Sequence, residues 1–241
     1  TMTSRVQDSE SAWMISLEGG EKSEPIPAAL SHGTTIEVRD LFYATPARLK
    51  FLKSPKTENA HALDAIKRLA MAHPDIAFTV GDTARTMLKL PQAQGDFLSA
   101  RLDRLDAIMG NAFAANALPI DAEREGIHLS GHIGLPTLNR GNAALQFLFV
   151  NGRPVKDKLL FGAVRGAYRD FLAHSRHPLL ALFIDIPSDS LDVNVHPAKT
   201  EVRFKDAGLV RGLIVSALRH ALAEAGHRAS TTVSDQALGA M

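Results

Sequence analysis

The sequence contains no cysteine, which excludes disulfide bridges, thiol nucleophiles and cysteine-ligated metal centres together. It also lacks an excess of charge of either sign. The formal net charge of its 241 residues is +1, so any basic surface that attracts an anion must be local. No apolar run reaches the length of a membrane span, and the first residues lack the basic-then-apolar order of a signal peptide. We therefore expect a cytoplasmic protein that contacts no membrane.

The composition is that of a globular protein, with 45% apolar and 22% charged residues. The length predicts one large domain or two of ordinary size. A polar stretch after residue 90 indicates a domain boundary, so we predict domains over 1–91 and 92–226 and a linker or tail over 227–241. The first five residues already alternate as a strand does, which indicates that the chain is cut from a longer one.

The first 91 residues read as strands around one long helix. Period-two patterns predict strands over 12–17 and 33–42, and apolar spacing predicts a helix over 57–72. Thr45 is placed as the N-cap of a helical turn that opens with Pro46. The pair Gly81 and Asp82 predicts a hairpin between strands over 76–80 and 86–90.

The rest of the chain reads as helices and strands of one mixed sheet. We predict helices over 97–109, from Asp157 to Phe171 and over 207–225, the last ended by Gly226, with a short helix reaching residue 118. Continuous apolar runs predict central strands over 145–150 and 179–186. Alternation over 127–135 predicts a half-buried strand that leaves His128 and His132 on the surface. This order predicts an α+β fold in which helices cover a sheet.

A turn near the end of the chain presents a lysine. Residues 191–196 alternate as a strand does, Pro197 ends the ladder, and Lys199 follows on the turn. One interpretation is a solvated turn lysine. The other is a lysine held at the end of a strand for an anionic ligand such as a phosphate.

Basic residues cluster between positions 140 and 176, where seven cations face two carboxylates, a local excess of five. On the predicted helix, Lys158, Arg165 and Arg169 follow one another at i, i+7 and i+11, opposite the apolar stripe. A charged solvent face explains such a stripe, and so does a surface for the phosphate backbone of a nucleic acid.

No histidine or carboxylate pair has the spacing of metal ligands, and no serine-nucleophile or Walker phosphate-loop motif occurs. We predict no metal site.

Three blocks carry a family resemblance. They are GTTIEVRDLFYATPAR over 33–48, FVNGRPV over 149–155 and DVNVHPAKTEVRF over 192–204. In this order they closely resemble the motifs of the MutL family of DNA mismatch repair proteins. Gyrase B and the Hsp90-type ATPases share the family's architecture but not these motifs.

The resemblance implies a fold and a set of site residues. Residues 1–91 would be the last part of a GHKL ATPase α/β sandwich, and residues 92–226 a second α/β sandwich with a left-handed βαβ crossover. Thr34 and Thr35 resemble the family's nucleotide-pocket element, with Thr35 the preferred contact. Lys199 resembles the catalytic lysine that reaches the γ-phosphate of ATP. Lys158 falls where the family has a basic DNA contact, and we add as further DNA-binding residues Arg153, Arg165 and Arg169.

The resemblance also implies a function. In the whole protein, ATP binding and hydrolysis with Mg²⁺ would drive amino-terminal dimerisation and couple mismatch recognition to strand incision and unwinding. The implied partners are DNA, a second copy, a mismatch-recognition protein, a strand-nicking endonuclease and a helicase, at the nucleoid. The family's catalytic glutamate and magnesium-binding asparagine would precede Thr1, so we expect neither bound ATP nor hydrolysis from this chain. The alternatives are a non-catalytic DNA-binding module or a gyrase B-type subunit.

Overall fold

The computed structural model describes residues 1–95, 97–193 and 200–238. The chain forms two compact units, Thr1–Ala60 and His61–Met241. Their division falls inside the helix Pro55–Ala72 (α1), whereas we predicted a domain boundary after residue 91. The assignment of domains to 1–91 and 92–226, with a tail over 227–241, stays a prediction.

The first unit is built on an antiparallel sheet with strand order β5-β2-β1-β6. These strands are Met2–Arg5 (β1), Ala12–Ile15 (β2), Ile26–Ala28 (β5) and Gly33–Ile36 (β6), and a small hairpin pairs Leu17–Glu18 (β3) with Glu21–Lys22 (β4). The strand predicted over 33–42 ends early because Asp40 and Phe42 have φ angles of 49° and 73°, which extended backbone excludes. A 3₁₀ helix, Pro46–Phe51, begins after Thr45 as predicted, but the Thr45 side chain makes no capping hydrogen bond.

The second unit contains a five-stranded sheet with strand order β13-β12-β15-β10-β9. Its strands are Ala117–Arg124 (β9), Ile127–Gly134 (β10), Gln146–Val150 (β12), Arg153–Val155 (β13) and Leu180–Asp185 (β15). Two-stranded ladders join Phe78–Gly81 (β7) to Thr86–Leu90 (β8), Asn139–Arg140 (β11) to His177–Pro178 (β14), and Leu191–Asp192 (β16) to Arg203–Phe204 (β17). The helices after α1 are Phe97–Met109 (α2), Asn111–Ala114 (α3), Lys158–Ala167 (α4) and Ala207–Leu238 (α5).

Helices cover both faces of the five-stranded sheet. One face, which includes Leu148 and Leu182, packs against α4 and α5 in a single apolar core. The opposite face, with Phe149 and Phe183 stacked at 4.6 Å between ring centroids, packs against residues of α1, α2 and α3. Strands buried on both faces are apolar without alternation, which confirms the prediction for 145–150 and 179–186. The predicted mixed α+β fold is confirmed.

The two central parallel strands are joined through a helix. Strand β12 pairs in parallel with β15, and α4 lies between them in the chain. This is the βαβ crossover that the family resemblance implies. Its hand stays a prediction.

The predicted half-buried strand is wrong in one respect. Strand β10 is buried on both faces, because α2 covers the face that carries Ser130 and His132. His132 is 4% exposed rather than on the surface. His128 is partly exposed near the end of the sheet, where its Nε2 lies 2.7 Å from Asp121 Oδ1.

Other differences have local causes. The short helix predicted to reach residue 118 ends at Ala114, and strand β9, which was not predicted, begins at Ala117. Strand β9 contains Pro119, which an edge strand tolerates. Helix α5 passes through Gly226, since one interior glycine costs a helix only about 1 kcal/mol. Helix α4 ends at Ala167, so Phe171, predicted to be in the core, is 43% exposed. In the described part of the chain, no helix has the length and apolarity needed to cross a membrane.

Candidate functional site

Helix α4 is fixed at its first turn by a buried carboxylate. Asp157 Oδ1 accepts hydrogen bonds from the backbone N–H groups of Leu159 and Leu160, at 2.9 and 3.2 Å. These bonds satisfy two N–H groups that have no partner within the helix. The core side of the helix is formed by four buried residues, Leu160, Ala163, Val164 and Ala167.

The predicted cations lie on α4 and in the turn that follows it. Lys158 and Arg165 of the helix and Arg169 of the turn are exposed, as predicted. Arg165 Nη2 donates a hydrogen bond to the carbonyl of His174 at 3.1 Å, which draws its guanidinium toward the segment after the helix. In that segment, Arg176 donates from Nε to the Asn139 side-chain oxygen. Arg165 and Arg176 are therefore held in place by neutral oxygens, and neither forms an ion pair with a described residue.

A groove of about 830 Å³ runs beside these cations. Lys158, Arg165, Arg169 and Arg176 contribute to its wall, together with the histidines at 174 and 177. None of its lining residues, all of which lie in the described ranges, is acidic. We call this space the cationic groove.

Arg153 lies elsewhere. It is exposed at the first position of β13, after a turn in which Asn151 and Gly152 have φ angles of 47° and 73°. The Asn151 side chain both donates to the carbonyl and accepts from the N–H of Ile186, which fixes the turn. Arg153 is not among the residues that line the cationic groove, so the structure brings together three of the four predicted DNA contacts.

A smaller groove of about 400 Å³, also lined by Arg169, is formed with residues of α4 and α5. Its cations include Arg211 and Arg219 of α5, which sequence reasoning missed because they lie far along the chain from α4. Arg219 Nη2 lies 2.9 Å from Asp170 Oδ2, an exposed ion pair that joins α5 to the turn after α4.

The predicted nucleotide contacts lie in the first unit. Thr34 and Thr35 are exposed on β6, which pairs with β1. The hydroxyls of Thr34 and Ser4 are hydrogen-bonded at 2.8 Å. Because neighbouring strand residues point to opposite faces, the Thr35 hydroxyl is directed away from that pair. Lys199 belongs to the segment 194–199, outside the described residues, and its role stays a prediction.

Two arginines of α2 are buried, and no sequence signal distinguished them from surface arginines. Arg101 Nη1 donates to Ser130 Oγ at 2.8 Å, and its guanidinium lies 3.8 Å from the ring centroid of Phe183. Burial lowers the Arg101 pKa to about 10, with Asp185 opposing the shift. Burial, and then the charge of Arg101, lower the pKa of His132. This cluster fastens α2 to the sheet.

Among the described residues, no group of three histidines or carboxylates could hold a metal ion.

The end of α4 is fastened to the sheet by Tyr168. Its buried hydroxyl donates to the Gly134 carbonyl at 2.7 Å. Burial raises the pKa of Tyr168 well above its usual value. The folded protein therefore keeps a proton that the unfolded chain loses near pH 10, about the pKa of a free tyrosine.

We expect Tyr168→Phe to lower the free energy of unfolding by about 1 kcal/mol at neutral pH, through loss of this hydrogen bond. In the wild type, the contribution of the raised pKa is complete below about pH 10 and is lost as the pH rises above it, by up to about 1.4 kcal/mol per pH unit. Denaturant unfolding at several alkaline pH values measures both effects. In Tyr168→Phe, the free energy of unfolding should no longer fall in this way as the pH rises above 10. Tyr43→Phe is the control, because Tyr43 is 79% exposed, and an equal loss of slope in that variant would contradict the assignment.

Comparison with known families matches residues 105–223 to the model described as "DNA mismatch repair protein, C-terminal domain". The chain is 62% identical over 241 residues to the DNA mismatch repair protein MutL of Rhodospirillum rubrum, covering all of this chain and 38% of that protein. It is 61% identical to MutL of Paramagnetospirillum magneticum, covering all of this chain and 40% of that protein. The chain thus spans about two fifths of the length of these relatives.

Solved structures of two related domains share the fold of this chain. The Aquifex aeolicus MutL ATPase domain complexed with ADP is 26% identical, with a TM-score of 0.61 over 88% of this chain and 70% of that one. The amino-terminal domain of a DNA repair protein is 21% identical and shares the fold, with a TM-score of 0.74 over 92% of this chain and 72% of that one. The family predicted from the three sequence blocks is confirmed. The chain belongs to the MutL family of DNA mismatch repair proteins.

Proposed function

We propose that this chain serves DNA mismatch repair as part of a MutL-type protein, and that α4 contacts the phosphate backbone of DNA. The observation that carries the proposal is the exposed stripe of Lys158, Arg165 and Arg169 beside a groove without acidic lining residues. On a chain whose net charge is only +1, such a local excess concentrates the attraction for polyanions on one face.

The mode of contact follows from the chemistry of these side chains. Lys158 is a flexible point charge at the first turn of α4, whereas arginines present planar donors that match phosphate oxygens in pairs. None of these contacts reads a base, so we expect binding with little sequence preference. If Arg176, the fourth cation of the groove wall, also contacts a phosphate, four contacts would give a slope of about −3.6 in log K against log salt concentration on duplex DNA.

Charge reversal tests the proposal. We expect Lys158→Glu and Arg169→Glu each to weaken binding to a fluorescein-labelled DNA duplex, and each to reduce the salt slope by about one. Fluorescence anisotropy across a series of salt concentrations measures both quantities. Lys89→Glu, at an exposed position on β8 outside the groove, makes the same change of charge and should leave the slope unaltered. Equal losses in all three variants would contradict a site on α4.

Nucleotide binding is the second part of the proposal. The Thr35 hydroxyl and the Lys199 ammonium would contact the nucleotide, with Lys199 directed to the γ-phosphate as a point charge. The likeness to a MutL ATPase domain complexed with ADP supports it. Thr34 is the weaker candidate because its hydroxyl already bonds Ser4. In a longer protein that supplies the rest of the pocket, Lys199→Ala should lower ATP affinity more than ADP affinity, as measured by calorimetry.

For the whole protein we propose the activity of the family: ATP and Mg²⁺ drive amino-terminal dimerisation, which couples mismatch recognition to strand incision and unwinding in the cytoplasm. A module that only binds DNA is the competing function, and the exposed cations favour it equally. Lys199→Ala separates the two in the longer protein. A change in nucleotide affinity with DNA binding intact supports the ATPase, whereas unchanged nucleotide affinity leaves DNA binding as the function of this region.

A further inference from the structure

The cationic groove has an apolar floor that contact with a phosphate backbone does not use. This floor is formed by the apolar lining residues Phe161 of α4, Leu172 and Ala173 of the segment after α4, and Pro178 of β14. Its volume of about 830 Å³ lies within the range of about 300–1,000 Å³ that is typical of ligand sites. A surface that only follows phosphates needs clustered cations, not an apolar cavity between them.

The wall of the groove is organised before any ligand binds. Arg165 is held by the His174 carbonyl and Arg176 by the Asn139 side chain. Buried Gln146 donates from Nε2 to the Pro178 carbonyl at 3.1 Å, which fixes the position of Pro178 in the floor. Side chains that are already positioned lose little conformational entropy on binding. The groove thus combines preset cations, no lining carboxylate and an apolar floor, which suits a ligand that is both anionic and apolar.

The floor fits aliphatic groups better than nucleobases. Sites that hold unstacked bases present the open faces of aromatic side chains. In this groove Tyr168 is buried, with its hydroxyl bound to Gly134, and Phe161 is partly packed against the core. The remaining floor residues are leucine, alanine and proline. Such a surface accepts a leucine, methionine or phenylalanine side chain from a protein partner.

We propose that the cationic groove docks an acidic peptide segment of a partner protein, with one or two large apolar side chains on the floor and carboxylates against the cations. Charge complementarity selects this occupant. The proposal goes beyond DNA binding, and because both ligands use Lys158, Arg165 and Arg169, the peptide and DNA exclude each other. The peptide would thereby make DNA contact by α4 dependent on the partner.

The test begins with a random peptide library displayed on phage and selected on the 241-residue chain. We expect enrichment of peptides that combine aspartate or glutamate with large apolar residues. The strongest peptide, labelled with fluorescein, should bind Ala173→Asp at least about tenfold more weakly, because that change places a like charge on the floor. Ala173 is exposed, so the variant should fold. Lys89→Glu should bind as the wild type does, and unlabelled duplex DNA should displace the peptide.

A conservative change separates the peptide from a nucleobase. Phe161→Leu keeps the floor apolar and removes the aromatic face, so peptide affinity should change by no more than about twofold. The proposal is wrong if no acidic and apolar peptides are enriched, or if the enriched peptides bind Ala173→Asp as they bind the wild type. It is also wrong if Phe161→Leu abolishes binding of a thymidine oligonucleotide, because the floor would then be a base site.

Discussion

Replacing Gly131 by alanine is expected to lower the free energy of unfolding of the second unit by about 4 kcal/mol, from overpacking and backbone strain together. Gly131 lies in the middle of β10 with a φ angle of +131°, a conformation that side chains rarely adopt. A β-carbon at this position would lie 2.2 Å from the Ala181 carbonyl oxygen of β15. Neither strand can retreat, since β9 and β12 flank them and helices cover both faces.

A second glycine in the same unit supplies the matched control. Gly162 lies within α4 and is exposed, and a β-carbon there would meet nothing within 4 Å. Because alanine favours a helix over glycine by about 1 kcal/mol, Gly162→Ala should stabilise the protein slightly. Urea unfolding followed by circular dichroism measures both variants. A loss smaller than about 1 kcal/mol for Gly131→Ala would show that the two strands relax around the added methyl group.

The burial of both faces of this strand could not be predicted from the sequence. Alternation over 127–135 correctly predicted a strand, but period two reports only that successive residues differ in polarity. Which face is buried depends on the helices that pack against it. Helix α2 supplies Arg101, which donates to Ser130, and so a polar face becomes buried. Residues 29 positions apart in the chain leave no local pattern from which this pairing could be predicted.

The candidate site, too, could be predicted from the sequence only in part. Part of the stripe was predictable, because Lys158 and Arg165 belong to one helix and helical geometry alone aligns them. Arg169 lies in the turn after α4, which ends at Ala167. Arg176 joins them only through the turn after α4 and its bond to Asn139, 37 positions away. The apolar floor was not predicted either, because the helix was expected to continue to Phe171, with that residue in the core, whereas α4 ends at Ala167. Lys199 stays a prediction from family resemblance, since periodicity placed it only on a turn.

A buried arginine binds the backbone on both sides of the hairpin formed by β7 and β8. Arg104 of α2 is 2% exposed, and its Nη2 lies 2.8 Å from each of three carbonyl oxygens. Those of Pro74 and Ile76 precede β7, and that of Pro91 follows β8. Burial lowers the pKa of Arg104, with Asp75 opposing the shift. One charged group therefore joins both ends of the hairpin to the helix that covers the sheet.

We expect Arg104→Met to lower the free energy of unfolding by about 3 kcal/mol, because the methionine fills part of the space but leaves three carbonyls without a charged donor. Arg104→Lys should lose less, since an ammonium keeps the charge and several N–H donors. Arg85→Met, at an exposed arginine of the same hairpin, should change stability by no more than about 0.5 kcal/mol. Amide hydrogen exchange shows which part of the fold Arg104→Met destabilises.

If Arg104 fastens the hairpin, the amides of β7 and β8 lose protection before those of β10 and β15. Equal loss of protection in all four strands would instead assign Arg104 to the stability of the whole unit.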